Sequence, residues 1–208
     1  MATKDHQSEP IESASETLQR IFDGHGSVLG SQMADESSRY DVLKKTDFPK
    51  PQRTRRIAVA NQKGGVGKTT STVNTAAALA NKGAQVLVID MDPQGNASTA
   101  LGVSHASGEP SVYDVIEGRS DLGDVITVCP DFPTLDVVPA SIDLSGAELE
   151  VAELPNRNTL LKEALDLYLR QSDKHYDYVF IDCPPSLGLL VINAMCAVTE
   201  MPVSYTHL

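Results

Sequence analysis

A glycine-rich stretch with two lysines and two threonines carries the strongest chemical signal in the sequence. It reads Gln62-Lys63-Gly64-Gly65-Val66-Gly67-Lys68-Thr69-Thr70. Glycines let a loop turn its backbone N–H groups toward phosphate oxygens, and a helix that begins at Lys68 adds its positive N-terminal end. The Lys68 ammonium then reaches the β- and γ-phosphates, and the Thr69 hydroxyl is a ligand for Mg²⁺. Residues 63–70 are therefore predicted to bind a nucleoside triphosphate with magnesium.

The loop departs from the usual pattern at one position, because such loops begin with Gly and this chain has Gln62 there. The additional lysine, Lys63, offsets this departure. The combination Lys-Gly-Gly-x-Gly-Lys-Thr is a known variant and is more specific than a set of glycines alone.

Three aspartates follow apolar runs of the sequence. At these positions their side chains can reach the glycine-rich loop. Asp90 and Asp92 come after Val86–Ile89, and Asp182 comes after Tyr178–Ile181. Ligands of open α/β sheets bind outside the carboxyl ends of the strands, so both acidic segments are expected beside the glycine-rich loop. Asp182 is predicted to hold magnesium through a water molecule. Asp90 and Asp92 are two residues apart and share a face; one is expected to support the metal and the other to position a water for attack on the γ-phosphate.

Apolar runs alternate with helical patterns after Arg56, and these elements must position the loop and the aspartates. Strands are predicted at residues 57–60, 86–89, 135–138 and 178–181. Helices are predicted at about 68–81, 111–117, 144–153, 157–171 and 188–199. This alternation predicts an α/β fold with a doubly wound, mainly parallel sheet and flanking helices.

The chain is predicted to have three parts. Residues 1–55 are rich in Ser, Glu, Asp, Gly and Lys, and are predicted to form a mostly disordered leader. Within the leader, Ser15–Phe22 has helical spacing of apolar residues, which indicates a transient helix or, as the alternative, a docking helix. Residues 56–202 form the predicted nucleotide-binding domain. Residues 203–208 resemble a translated sequencing adapter and are predicted to be a non-native tail.

Charge and cysteine content exclude some classes of partner and site. The net charge is −11, and nearly all of the acidic excess follows Arg56. Such a surface repels nucleic acid and anionic membrane at long range, so either partner needs a local basic patch. The three cysteines lack metal-ligand spacing and are expected to be reduced thiols in a cytosolic protein. The sequence shows no signal peptide and no apolar run long enough to span a bilayer.

Three linked motifs resemble those of the ParA/Soj family of deviant Walker ATPases, over residues 56–202. They are Ala60–Thr70, Val88–Ala97 and Phe180–Gly188. The resemblance implies a P-loop NTPase fold with ATP and Mg²⁺ as cofactors. It implies that Lys63 is the signature lysine, which reaches the partner's nucleotide across an ATP-sandwich dimer, and that Lys68 binds phosphate. It further implies that Thr69 is a magnesium ligand, Asp92 the hydrolytic aspartate and Asp182 the Walker B aspartate.

The resemblance also implies a biological role. Members of the family separate plasmid or chromosome copies: ATP-dependent homodimers coat DNA nonspecifically, and a ParB-type partner stimulates hydrolysis and release. The expected location is the cytoplasm, on the nucleoid and not on a membrane. The family continues after Pro202 with further strands and basic DNA-binding residues, so the domain is expected to be incomplete at its C-terminus.

Three alternatives remain open at this point. A MinD-like division-site ATPase shares the loop and the signature lysine, although Asp92-Pro93-Gln94-Gly95-Asn96 favours the ParA side. A P-loop small-molecule kinase or synthetase would not need Lys63. A nonenzymatic module would use nucleotide only to rigidify its fold.

Overall fold

The computed structural model describes residues 28–46 and 48–202, which belong to two compact units, 1–48 and 49–208. The described part of the first unit contains one helix, α1, Val28–Lys45. Lys44 and Lys45 lie in its last turn, where cations interact favourably with the helix dipole. Large apolar side chains of α1 such as Tyr40 and Leu43 are exposed.

Sequence analysis did not predict α1, because the helix has no continuous apolar stripe. The interpretation of 1–55 as mostly disordered stays a prediction for the leader as a whole. The predicted helix at Ser15–Phe22 and the predicted tail at 203–208 lie outside the described residues.

The second unit is built on a sheet of five strands. The strands are β1 Arg55–Val59, β2 Val86–Asp90, β3 Thr127–Val128, β4 Leu135–Val138 and β5 Tyr178–Asp182. The helices are α2 Lys68–Asn81, α3 Asn96–Ala100, α4 Val112–Ile116, α5 Leu144–Glu150, α6 Leu160–Gln171 and α7 Leu189–Ala197. A single 3-10 turn, Leu122–Val125, precedes β3. None of the helices in the described part of the chain is long and apolar enough to cross a membrane.

The strand order is β1-β5-β2-β4-β3. Four strands are parallel, and only β3, at the edge, pairs antiparallel. The predicted doubly wound, mainly parallel sheet is thus confirmed. Because β5 lies between β1 and β2, Asp182 is in register with both Val59 and Asp90. The carboxyl ends of these three strands therefore meet where sequence analysis expects the ligand.

Apolar side chains on both faces of the sheet bury against helices. Leu87 and Ile89 of β2 pack into the core on the side of α4–α7, while Val86 and Val88 pack on the side of α2. All four are fully buried. Each contributes roughly 1.5–3 kcal/mol by leaving water. A strand that is buried on both faces is a continuous apolar run, which explains why periodicity detected it.

Hydrogen bonds extend the sheet beyond β1. The Ala58 N–H donates to the Glu200 carbonyl over 3.0 Å, and the N–H groups of Thr199 and Glu200 donate to the Arg56 carbonyl over 3.1 Å each. The segment after α7 therefore begins to cover the outer edge of β1, in parallel orientation.

Candidate functional site

The glycine-rich loop joins β1 to α2, as predicted. Gly65 and Gly67 have φ of 72° and 83°, in the left-handed region that favours glycine. Gly67 is the N-cap of α2, and its carbonyl accepts the Ser71 N–H over 2.8 Å. A Cβ added at Gly64 would meet no atom within 4 Å. The loop therefore leaves open space at the N-terminus of a 14-residue helix, where a phosphate is stabilised.

The two lysines of the loop have different environments. Lys68 is buried, with 7% of its surface exposed, and its Nζ donates to the Lys63 carbonyl over 3.4 Å. Lys63 is exposed, and its N–H donates to Asn61 Oδ1 over 2.9 Å. Lys68 is thus held inside the loop, whereas the side chain of Lys63 is accessible from outside.

Asp182 at the end of β5 is held by two threonines of α2. The Thr69 hydroxyl donates to Oδ2 over 2.7 Å, and the Thr72 hydroxyl lies 3.2 Å from Oδ1. Thr72 also bonds to the Lys68 carbonyl over 3.0 Å and is fully buried. Sequence analysis did not name Thr72, although its position one turn after Thr69 places it on the same face of a helix.

Burial sets the protonation of Asp182. The pKa of its carboxyl is raised to about 6, mainly because burial removes it from water; the Thr69 hydrogen bond opposes this rise, and the nearby Asp90 charge adds to it. A buried carboxylate with a raised pKa gains most from a bound cation. Burial also raises the pKa of the neighbouring Cys183 thiol to about 12, so this thiol stays protonated at neutral pH.

Asp90 and Asp92 flank a tight turn between β2 and α3. The Asp92 N–H donates to Asp90 Oδ1 over 3.2 Å, and the Gln94 N–H donates to Asp92 Oδ1 over 3.0 Å. Asp90 Oδ2 accepts both the N–H and the hydroxyl of Ser98, over 2.8 and 2.7 Å. Burial raises the pKa of Asp90, and these hydrogen bonds oppose that rise. Both oxygens of Asp90 are thus engaged within the turn.

A cleft of about 300 Å³ joins the loop to the turn. Its lining includes Asp92 from the turn and Lys68 and Thr69 from the loop. The other lining residues are Gly64, Gly65, Gly67, Thr70, Asn96 and Pro185. Sequence analysis did not name Asn96 or Pro185 as site residues, although both lie inside the acidic motifs. Four predicted site residues do not line the cleft. Lys63 and Val66 belong to the same loop, Asp182 is hydrogen-bonded to Thr69, and Asp90 is hydrogen-bonded to the N–H of Asp92.

A larger cavity of about 830 Å³ lies along the outer edge of β1. Its lining is mainly apolar, with Ile57, Leu79 and Phe180, and its charged residues Arg55 and Glu200 are paired with each other. None of the predicted site residues lines it, so its size does not make it the chemical site.

The residues of the cleft fit a nucleoside triphosphate with magnesium. The glycines leave room for phosphates, Lys68 supplies a buried positive charge, and Thr69 with Asp182 supplies hard oxygen ligands, which Mg²⁺ prefers. No group of three or more His, Cys, Asp or Glu side chains in the described residues could hold a metal ion by itself. A cation at Thr69 would therefore need oxygens from outside the protein, and phosphates supply them.

A family model described as an AAA domain, AAA_31, matches residues 54–205. The sporulation initiation inhibitor protein Soj of Bacillus subtilis (strain 168) is 50% identical over 141 residues, which cover 68% of this chain and 54% of Soj. The chromosome partitioning protein ParA of Caulobacter vibrioides (strain NA1000 / CB15N) is 48% identical over 141 residues, which cover 68% of this chain and 52% of ParA. The chain thus spans about half the length of the curated relatives it matches. The resemblance to the ParA/Soj family is confirmed.

Among solved structures, cobyrinic acid a,c-diamide synthase from Mycobacterium smegmatis, with bound ATP analog and magnesium, superimposes with a TM-score of 0.67. It is 39% identical, and the match covers 73% of this chain and 60% of that chain. The nucleotide and the metal belong to that protein, and the common fold extends over most of the second unit described above.

Proposed function

Because the chain belongs to the AAA_31 family of AAA domains, we propose that it is the nucleotide-binding part of an ATP-dependent DNA-partitioning ATPase. ATP with Mg²⁺ is the proposed ligand of the cleft. The proposal rests on the similarity to Soj and ParA and on one structural observation, the hydrogen bond between Thr69 and Asp182 at the mouth of a glycine loop.

That hydrogen bond supports the proposal because it brings together the two protein groups that a magnesium site in a P-loop requires. In P-loop NTPases the loop Ser or Thr and a strand-end Asp hold Mg²⁺. Thr69 and Asp182 would hold it here, and the ion would supply positive charge to the phosphates. Here β5 lies next to β1, so Asp182 reaches α2 directly. Lys68, held by the Lys63 carbonyl, provides the ammonium that neutralises phosphate charge.

Asp92 is proposed to orient the attacking water. It lines the cleft opposite the loop and is 93% buried, so its carboxylate has little competition from bulk water. The Gln94 N–H fixes one of its oxygens. A carboxylate in this position accepts a proton from water and directs the lone pair toward the γ-phosphorus.

The proposed dimerisation depends on the same site. The exposed side chain of Lys63 is available to the nucleotide of a second copy, and hydrolysis would remove the phosphate that holds such a dimer. We propose nonspecific DNA and a ParB-type protein as the partners, with the acidic chain requiring a basic patch for DNA. The proposed location is the cytoplasm, on the nucleoid.

A phosphate-release assay on the 208-residue chain, with and without DNA and a ParB-type protein, tests the proposal. We expect ATP turnover by this chain to depend on Mg²⁺, and to rise with both partners when the chain is extended by the basic DNA-binding segment that the ParA/Soj resemblance implies. Stimulation by anionic lipid vesicles in place of DNA would favour the MinD-like alternative. No nucleotide binding by a folded chain would overturn the proposal.

The similarity to the Mycobacterium smegmatis structure, which is named as a synthase, favours a second candidate function, that of an ATP-dependent synthetase. Such an enzyme uses ATP to modify a small-molecule acceptor. Incubation with ATP, cobyrinic acid and an ammonium salt as the source of nitrogen separates the two functions. Amidated product would support the synthetase, while acceptor-independent turnover supports partitioning.

A further inference from the structure

We propose that Asp90 is a positioning residue and not a magnesium ligand. Together with Ser98 and the Ala140 N–H it forms a buried cluster, here named the Asp90 latch, which holds the turn that carries Asp92. The inference rests on the proposed function and deepens it, because it assigns roles within the hydrolytic site.

The hydrogen bonds of Asp90 point inward, to the turn. Its carboxylate accepts three hydrogen bonds, from the Asp92 N–H, the Ser98 N–H and the Ser98 hydroxyl, over 3.2, 2.8 and 2.7 Å. The residue has no exposed surface and does not line the cleft. An ionised carboxylate has about four acceptor positions. Three of them are occupied here, and a cation could reach the remaining one only by entering a site that is closed to water.

Ser98 connects the latch to a second strand, β4. Its hydroxyl donates to Asp90 Oδ2 and accepts the Ala140 N–H over 3.1 Å. One buried oxygen atom is therefore hydrogen-bonded to both Asp90 and Ala140. Ala140 follows β4, whose carboxyl end lies beside that of β2. The first turn of α3 is therefore tied to two neighbouring strand ends.

The latch acts on Asp92 through the backbone. The Asp92 N–H is fixed by Asp90, and the Asp92 carbonyl accepts the Gly95 N–H over 2.9 Å, which closes the turn. The orientation of the Asp92 carboxylate thus depends on a carboxylate that contacts neither loop nor cleft. Asp182 has a different environment from Asp90, because its carboxylate oxygens lie within hydrogen-bond distance of the Thr69 and Thr72 hydroxyls of α2.

The test compares Ser98→Ala and Asp90→Asn with Asp182→Asn. ATP turnover is measured for each variant. Nucleotide binding is measured separately, by calorimetry at a series of Mg²⁺ concentrations. We expect both latch variants to lower kcat by about tenfold to a hundredfold, because small misplacement of a catalytic group has that effect. The Mg²⁺ concentration for half-maximal nucleotide binding should stay within about twofold of wild type in both. Asp182→Asn should raise that concentration.

A shift in Mg²⁺ dependence for Asp90→Asn as large as that for Asp182→Asn would overturn the latch and make Asp90 a ligand. Unchanged kcat in Ser98→Ala would also overturn it. If wild type binds no nucleotide, the proposed function fails instead.

Amide hydrogen exchange of the nucleotide-free chain tests the latch independently of activity. Ser98→Ala should accelerate exchange of the Ala140 and Asp92 N–H groups and leave the Val88 N–H in β2 protected. Unchanged exchange at Ala140 and Asp92 would contradict the latch even where Asp90→Asn fails to fold.

Discussion

Thr69 and Asp182, 113 positions apart in sequence, share a 2.7 Å hydrogen bond that joins the first turn of α2 to the end of β5. The contact exists because β5 is inserted between β1 and β2. It leaves the Thr69 hydroxyl and the Asp182 carboxylate side by side at the cleft. The site is thus made by the crossover topology of the sheet and not by residues close in sequence.

Replacing Thr69 with Val should weaken magnesium-dependent nucleotide binding more than replacing Thr72 with Val. Both changes preserve shape and remove a hydroxyl from Asp182, but only Thr69 lines the cleft. We expect Thr69→Val to raise the Mg²⁺ requirement by about tenfold, since loss of a ligand contact has this order of effect. Thr72→Val serves as the matched control, and a larger effect at Thr72 would contradict the assignment.

Lys68→Ala should weaken nucleotide binding at least about tenfold, while Lys63→Ala should spare binding and lower turnover. Lys68 is buried inside the loop, and a charge-assisted hydrogen bond to phosphate is worth about 1.5–3 kcal/mol, or at least a tenfold loss of affinity. Lys63 is exposed, and we propose that it acts on the nucleotide of a second copy. Calorimetry and phosphate release measure the two effects. Weak binding in Lys63→Ala alone would show that this lysine serves its own nucleotide.

Asp92→Ala should bind ATP with wild-type affinity and fail to hydrolyse it. The carboxylate faces the cleft but is not among the groups that hold Thr69 or the phosphate loop. General-base assistance contributes typically 10²–10⁴-fold, so we expect at least a hundredfold fall in kcat. Normal turnover by the variant would refute the water-positioning role.

Much of the framework could be predicted from sequence. Helix α2 and strand β4 begin and end at the predicted residues, because a helix behind a glycine loop and a doubly buried strand both leave continuous local patterns. Helix α3 was missed, since it has five residues and is held by Asp90 through Ser98. Edge strand β3 was missed as well, because its two residues are exposed.

Much of the candidate site could also be predicted from the sequence. The loop and Asp92 lie where the strand-end rule places them, and the structure brings them together in one cleft. The contribution of Asp90 was not predictable, because its sequence position is equally suited to a ligand or to a structural carboxylate. Only the hydrogen bonds to Ser98 distinguish these roles.

The contribution of Asp182 to the free energy of unfolding of the nucleotide-free chain should fall as pH rises from about 4 to 6. Burial raises the pKa of Asp182 to about 6 in the folded state, whereas the unfolded value is about 3.9. Between these values the folded state binds more protons, so raising the pH removes stability, by up to about 3 kcal/mol. Asp90 shifts in the same direction.

Urea denaturation at several pH values measures this effect, with Asp182→Asn as the control. The variant should lose the part of the pH dependence that belongs to Asp182. Parallel profiles for wild type and variant would contradict the assignment.

Gly95→Ala should destabilise the chain more than Gly83→Ala. Both glycines have positive φ, 63° and 81°, and a side chain there costs about 1 kcal/mol. At Gly83 an added Cβ meets nothing within 4 Å, whereas at Gly95 it lies 2.5 Å from the His105 ring. His105 must then move away and lose its 2.9 Å hydrogen bond to Thr99 Oγ1. We expect a total loss of about 2 kcal/mol at Gly95, measured by urea denaturation.

The cause can be isolated by a double-mutant cycle with His105→Ala, which removes the obstructing ring. The effect of Gly95→Ala in the His105→Ala background should fall to that of Gly83→Ala, because only the backbone conformation then opposes the methyl group. Additive effects of the two substitutions would show that the ring does not press on Gly95. Since Gly95 closes the turn that carries Asp92, Gly95→Ala should also lower kcat, and His105→Ala in the same chain should restore part of it.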